Sequence, residues 1–155
     1  MNTKKFTAAD FDFMKKAKQV GTNSGCIRGE SRFGAIAVRD GEVLAIGWNG
    51  AVGEIPPCEQ TGQCIRTVMK IPSGTHREIA HCICAEQRLI CNAAKNGVAL
   101  NGAILYVTGL PCEMCVRLIV AAGFVQCVYT NEYGTSERSY NKAQLAGLEL
   151  IRMEL

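Results

Sequence analysis

The stretch "AILYVTGLPCEMCVRLIVAAGFVQCVYT", residues 103 to 130, decides the fold. It opens with a short apolar strand, AILYVT. The segment CEMCVRLIVAAG then reads as a helix ending at Gly123, and FVQCVYT as a second strand. Working outward, RFGAIAV and VLAIGWNG flank RDGE and predict a hairpin turning at Asp40-Gly41. TAADFDFMKKAKQV begins with Thr7 and has Asp10 three residues on, a capping-box start for an amphipathic helix. A helix is expected from Ile83 to about Lys95, closed by Asn96-Gly97. A last helix is expected over 136–146, and a final strand in LELIRME. Strands alternating with helices after an initial hairpin imply an α/β layered fold with a mixed sheet.

Residues 50–80 are the irregular part. GAVGEIPPCEQTGQC and IPSGTH are rich in Gly, Pro and polar groups, which predicts a long structured loop inserted into one domain spanning 1–155. Long loops in small domains are often functional.

Composition narrows the function. Of 155 residues, 48% are apolar and 20% charged, as in ordinary globular chains. The formal charge of +3 is dispersed rather than gathered in a basic stripe, so no nucleic-acid partner is expected. The run LIVAAGFV is too short to span a bilayer. MNTKKFTAADFDF lacks the apolar core of a secretory signal. A cytoplasmic location is expected.

Nine cysteines then require an explanation. In a reducing compartment, clustered cysteines indicate metal binding or catalysis. Cys91 and Cys127 sit in apolar runs without partners at ligand spacing and read as small core hydrophobes. Cys112 and Cys115, in PCEMC, form a C-x-x-C pair at a predicted helix start. Such a pair alone fits either a metal knuckle or a redox dithiol. The stretch HCICAEQRLI, residues 81 to 90, breaks the tie. Cys84 also stands near a helix start, so two adjacent helix N-termini would present three thiolates to one zinc. A catalytic zinc takes three protein ligands and keeps a fourth position for water. Glu86, two residues past Cys84, would reach that water without binding the metal.

CAEQ followed by PCEMC resembles the zinc signature of the cytidine and deoxycytidylate deaminase superfamily. GAIAVRDGEVLAIGWNGA resembles the hairpin of bacterial and phage deoxycytidylate deaminases, and CEQTGQCIRTVMKIPSG their cysteine-bearing insertion. The likeness runs through nearly all the chain from residue 26. It implies a three-layer α/β/α sandwich with a mixed five-stranded sheet and helices on both faces. It also implies zinc-dependent hydrolytic deamination of a cytosine nucleotide, dCMP to dUMP plus ammonia, with cytidine or another base as alternative substrates.

Further roles come with the resemblance. Cys84, Cys112 and Cys115 would hold zinc, and Glu86 would shuttle protons. The Ala85 N–H would meet the pyrimidine carbonyl. Asn49 would touch the sugar or phosphate side, unless it is only a turn residue tolerating a left-handed backbone. Cys26, Cys58, Cys64 and Cys82 are candidates for a second, structural zinc. The resemblance also implies a homo-oligomer, since members of the family are usually homo-oligomers, often hexamers.

Two positions depart from the deoxycytidylate pattern together: Cys84 replaces the usual His, and Arg88 replaces Asn. Three thiolates around Zn²⁺ carry a formal charge of −1. Arg88, four residues on along one helix face, is expected to donate to the Cys84 sulfur and draw off charge. The alternatives are a grip on the substrate phosphate and a solvated helix-face arginine. A module with purely structural zinc is the competing function, and Glu86 is what argues against it.

Overall fold

The computed structural model describes residues 5–133 and 136–155. Five strands form one mixed sheet: β1 (Gly34–Arg39), β2 (Glu42–Trp48), β5 (Ile104–Gly109), β6 (Gln126–Asn131) and β7 (Glu149–Arg152). Their order is β2-β1-β5-β6-β7. β1 runs antiparallel to β2 and to β5, while β6 lies parallel to both β5 and β7. The expected hairpin is present. Asp40 and Gly41 have φ of 53° and 78°, the pair of positive angles that a tight two-residue turn requires.

Alternation along the strands sorts residues to two faces. Ile36 and Val38, with Tyr106, Val128 and Met153, pack against Met14, Ala17 and Val20 of α1 (Ala8–Gly21). Ala35, Ala37, Leu105, Val107 and Cys127 face the other way. There they meet Leu89 and Ala93 of α4 (Ala85–Lys95), Val116 and Ile119 of α5 (Glu113–Ala121), and Ala143 of α6 (Ser136–Ala146). One helix on one face and three on the other make the expected three layers. Each fully buried Leu or Ile contributes about 1.5–3 kcal/mol. Alanines on the β1 face let α4 approach closely, and Gly47 of β2 completes that approach. A methyl group there would collide with the Ala85 carbonyl and the Leu89 amide.

The capping box forms as expected. The Thr7 amide donates to Asp10 Oδ2 at 2.7 Å, and the Asp10 amide donates to Thr7 Oγ1 at 3.3 Å. Asp10 also accepts from the Tyr106 hydroxyl at 2.5 Å, which fixes α1 to β5.

Two expectations need correction. Ile83 is not helical: Cys82–Ile83 form β4, paired antiparallel with β3 (Gly50–Ala51), and the helix begins only after Cys84. The β3–β4 ladder closes the base of the 50–80 excursion, a pairing between residues too distant in sequence for periodicity to reveal. Cys91 is exposed rather than a core hydrophobe. The buried face of α4 runs through Ala85, Leu89 and Ala93, and Cys91 lies two residues past Leu89, about 200° around the helix. Cys127 is fully buried, as expected.

Within the excursion, α2 (Cys58–Thr61) and α3 (Ile65–Val68) are single turns, followed by a 3-10 turn at Arg77–Ile79. Glu59 ties α2 to the loop before β1. Its carboxylate accepts from Arg32 at 2.9 Å, and its amide donates to the Gly25 carbonyl at 3.0 Å.

Candidate active site

Two helix starts supply the chemistry. Cys84 is the N-cap of α4, immediately after β4, and Cys112 is the N-cap of α5, just past the end of β5. Cys115 follows in the first turn of α5. The three Sγ atoms all lie within 4.8 Å of one another. A tetrahedral zinc with bonds of about 2.3 Å needs sulfurs about 3.8 Å apart, so small shifts close the trio on one ion. Gln87 fixes the Cys84 backbone, its Oε1 accepting from the Cys84 amide at 2.8 Å.

Hydrogen bonding divides the protons of the trio unevenly. Cys112 is held far below the usual thiol range, first by Cys115 and then by Cys84, with help from the Cys115 backbone amide and Arg77. Cys84 and Cys115 are pushed well above it, each chiefly through Cys112. A divalent soft metal binding the trio would displace thiol protons, since each ligand binds as a thiolate. The donor set fits zinc.

Glu86 sits beside the sulfurs with only 6% of its surface exposed. Burial, then the Cys112 thiolate, push its carboxyl up to about 7, against its own backbone amide and Arg77. A carboxyl of that pKa both accepts and returns a proton near neutrality. Cys84, Cys112 and the carboxyl line a cavity of about 790 Å³, with Cys115 fully buried behind them. That volume lies within the ~300–1,000 Å³ typical of small-molecule sites.

A family model described as the cytidine and deoxycytidylate deaminase zinc-binding region matches residues 7–131. The chain belongs to this family. The deoxycytidylate deaminase of Saccharomyces cerevisiae is 32% identical over 141 residues, covering 90% of this chain and 43% of the yeast protein. The chain thus spans less than half of that relative. The deoxycytidylate deaminase of Mycobacterium phage D29 is 33% identical over 124 residues, covering 77% of this chain and 92% of the phage protein. The crystal structure of dCMP deaminase from the cyanophage S-TIM5 in complex with dCMP and dUMP superposes with a TM-score of 0.72. It is 27% identical, and the match covers 97% of this chain and all of that one.

Other residues singled out in the sequence occupy the cavity wall. Ala85 lies at the first turn of α4, where backbone N–H groups have no partner within the helix. Asn49 does not adopt a left-handed backbone. Its Oδ1 accepts from the Phe33 amide at 2.8 Å and its Nδ2 donates to the Ser31 carbonyl at 2.7 Å. The side chain braces the end of β2 against the loop before β1. One amide hydrogen and one lone pair stay unused.

Cys26, Cys58, Cys64 and Cys82 also border the cavity. Cys58 and Cys64 share a hydrogen bond. Burial first, then Cys64, push Cys58 up to about 11, with Cys26 and Cys82 adding to the effect. Among the described residues, however, the set of three or more ligand atoms within 4.8 Å of one another is the Cys84–Cys112–Cys115 trio. His81 is exposed at the entry to β4, as a loop histidine would be.

Arg88 does not serve Cys84. Its Nε donates to the Trp48 carbonyl at 2.8 Å, and its Nη2 donates to Gly50 and Ala51 carbonyls at 3.0 and 2.7 Å. The guanidinium also lies over the Trp48 ring, 5.1 Å from its centroid. Three carbonyls, that of Trp48 at the end of β2 and those of Gly50 and Ala51 in β3, hold it more firmly than one sulfur. The donor to Cys84 Sγ is Arg77, whose Nη1 lies 3.9 Å away. Sequence reasoning missed Arg77 and also Tyr133, whose ring lies under that guanidinium. Neither belongs to a periodic pattern, and the one cue was a basic residue in the irregular stretch leading to Cys84.

Proposed function

We propose that this chain converts dCMP to dUMP and ammonia at a zinc held by Cys84, Cys112 and Cys115. The observation that carries the reading is a buried, neutral-range carboxyl beside three converging sulfurs, with the carboxyl, Cys84 and Cys112 lining one nucleotide-sized cavity. Zinc in that trio would supply Lewis-acid activation of a water. Glu86 takes the proton that the attacking water loses and delivers it to ring N3 of the cytosine. It then carries the second proton to the departing amine, so water enters at C4 and ammonia leaves. The Ala85 N–H donates to the pyrimidine carbonyl and orients the ring. The unused amide hydrogen of Asn49 meets the sugar or phosphate side. The relatives named deoxycytidylate deaminase and the complex of the cyanophage enzyme with dCMP and dUMP favour the monophosphate.

A second zinc at Cys26, Cys58, Cys64 and Cys82 is part of the proposal, supported by their convergence on one wall and by the Cys58–Cys64 hydrogen bond. It would close a loop region that has few apolar contacts of its own. We also place the enzyme in the cytoplasm, where nine unpaired thiols persist, and assemble it as a homo-oligomer. Exposed Met114 and Leu118 on α5 support the assembly. Among the described residues no helix is long and apolar enough to cross a membrane.

The test is zinc content together with ammonia release from a panel of cytosine nucleosides and nucleotides. The expected result is preference for dCMP, with Glu86→Ala abolishing turnover while zinc is retained. Preference for free cytidine overturns the substrate. A zinc-loaded chain that deaminates nothing on the panel leaves the structural-zinc module in its place.

A further inference from the structure

Arg77 lies outside every motif of the sequence, yet it is the cation that meets the metal trio. Its 3-10 turn, Arg77–Ile79, precedes β4 and places the side chain over the sulfur of Cys84. The guanidinium carbon stands 5.1 Å from the centroid of the Tyr133 ring. Phe33 in turn contacts Tyr133, with centroids 6.0 Å apart, so the stacking partner is itself braced. Burial works against the charge of Arg77, but Tyr133, Cys84, Cys112 and Glu86 together outweigh it and push its pKa further up. Its Nε is buried with no hydrogen-bond partner. Burying that donor unsatisfied is unfavourable, so solvation does not account for the placement of the side chain.

The charge balance shows what the placement achieves. Zn²⁺ with three thiolates carries −1, whereas zinc with two thiolates and a neutral imidazole carries none. An uncompensated charge in a half-enclosed site is strongly disfavoured. Arginine suits the task because its planar fork stays cationic and can stack on an aromatic face while donating from its edge. A donor to a ligating sulfur also lowers the electron density that the sulfur passes to the metal.

We propose that Arg77, clamped on Tyr133, is a positioning residue that compensates the extra negative charge of the all-thiolate centre through Cys84. The proposal rests on the three-sulfur metal site proposed above. It predicts an energetic coupling between Arg77 and the residue at position 84 that Arg88 does not share.

The experiment uses the full chain with zinc replaced by cobalt(II), whose sulfur-to-metal charge-transfer bands report the electron density on the ligating sulfurs. Arg77→Gln is expected to move the band to longer wavelength. It should also make zinc transfer to a chromophoric chelator about tenfold faster, the lower end of the effect of partners that support metal ligands. Arg77→Lys, which keeps the cation, should lie closer to the native chain. In a Cys84→His background, where the third thiolate is gone, Arg77→Gln should change neither quantity; a double-mutant cycle reads that coupling directly. If Arg77→Gln fails to fold, Tyr133→Leu, which removes the stacking partner, replaces it and should shift the band in the same direction by less. A native band that neither variant moves overturns the role of Arg77 and leaves the metal site standing. A native chain with no cobalt–thiolate band overturns the metal site and the role of Arg77 with it.

Discussion

The molecule holds two groups of thiols against one cavity, built in opposite ways. Cys84, Cys112 and Cys115 stand at the starts of α4 and α5, helices that bury Leu89, Val116 and Ile119 against the sheet. Cys26, Cys58, Cys64 and Cys82 stand on a loop, two single-turn helices and a two-residue strand. The first group converges within 4.8 Å, and the second is close enough to interact but not drawn together. Preorganisation comes from the core beneath the ligands. A helix start packed on a sheet fixes its cap residue, whereas a loop cysteine needs the metal itself to fix it.

Removing one ligand from each group tests that difference most strongly. Structural zinc binds with about 10–16 kcal/mol, so one ligand's share is on the order of 4 kcal/mol, roughly a thousandfold in affinity. Cys112→Ser should lose that much at the site beside Glu86 while the far-ultraviolet circular dichroism stays native, because α5 is held by its own core face. Cys58→Ser should remove one zinc equivalent and loosen residues 50–80, read as faster limited proteolysis there, with the trio still loaded. Elemental analysis after dialysis separates the cases. Loss of all zinc from Cys58→Ser would show that the two groups are one cooperative unit.

Glu86 sharpens the comparison from the side of the trio. Its carboxyl, ordinarily near 4.5, is raised to about 7 in the metal-free fold, chiefly by burial. The protonated form is the one the fold favours, so its stability is fully present below about pH 4.5 and is lost as pH rises through about 7. The shift corresponds to about 3 kcal/mol. Urea unfolding of chelator-stripped protein at pH 5 and pH 8 should show that contribution as a difference. The thiols, Cys112 above all, act with the opposite sign in both chains. On going from pH 5 to pH 8 the native chain should therefore change by about 3 kcal/mol less favourably than Glu86→Gln. Cys58, raised to about 11, stays protonated throughout this window and contributes nothing to the change. The same pH dependence in the native chain and in Glu86→Gln would mean that the carboxyl is better solvated than its burial implies.

How much of this was legible in the sequence depended on whether a feature was local. The Asp40-Gly41 turn, the Thr7–Asp10 box, the strand at 104–109 and the helix over 136–146 each follow from a few adjacent residues, and all are found. The trio was legible too, because its two cysteine motifs each carry a helix-start signal. What failed was long-range. β4 exists because Cys82–Ile83 pair with Gly50–Ala51, more than thirty residues back, and no propensity at Ile83 announces it. Cys91 was misjudged because an apolar run says nothing of which side of a helix faces the sheet. Arg88 and Arg77 were exchanged for the same reason. Spacing along α4 correctly put Arg88 on the face of Cys84, but three carbonyls at the end of β2 and in β3 compete for its guanidinium.

Arg88 therefore supplies the smallest effect and the cleanest separation of the two regions, since it joins them without belonging to either. Its guanidinium bridges α4 to Trp48, Gly50 and Ala51, where the core sheet ends and the excursion begins. Glutamine keeps one amide donor and loses the fork, the charge and the stacking on Trp48. The carbonyls at this edge are partly reachable by water, so their loss of partners is not a full desolvation penalty. A total of about 2 kcal/mol follows from charged hydrogen bonds of ~1.5–3 kcal/mol each, reduced by that access. Arg88→Gln should lower the urea midpoint accordingly and speed proteolysis near residues 50–57. The cobalt band of the trio should stay in place, because Arg77 rather than Arg88 reaches Cys84. A variant of native stability with a shifted band would reverse the assignment of the two arginines and return Arg88 to the metal.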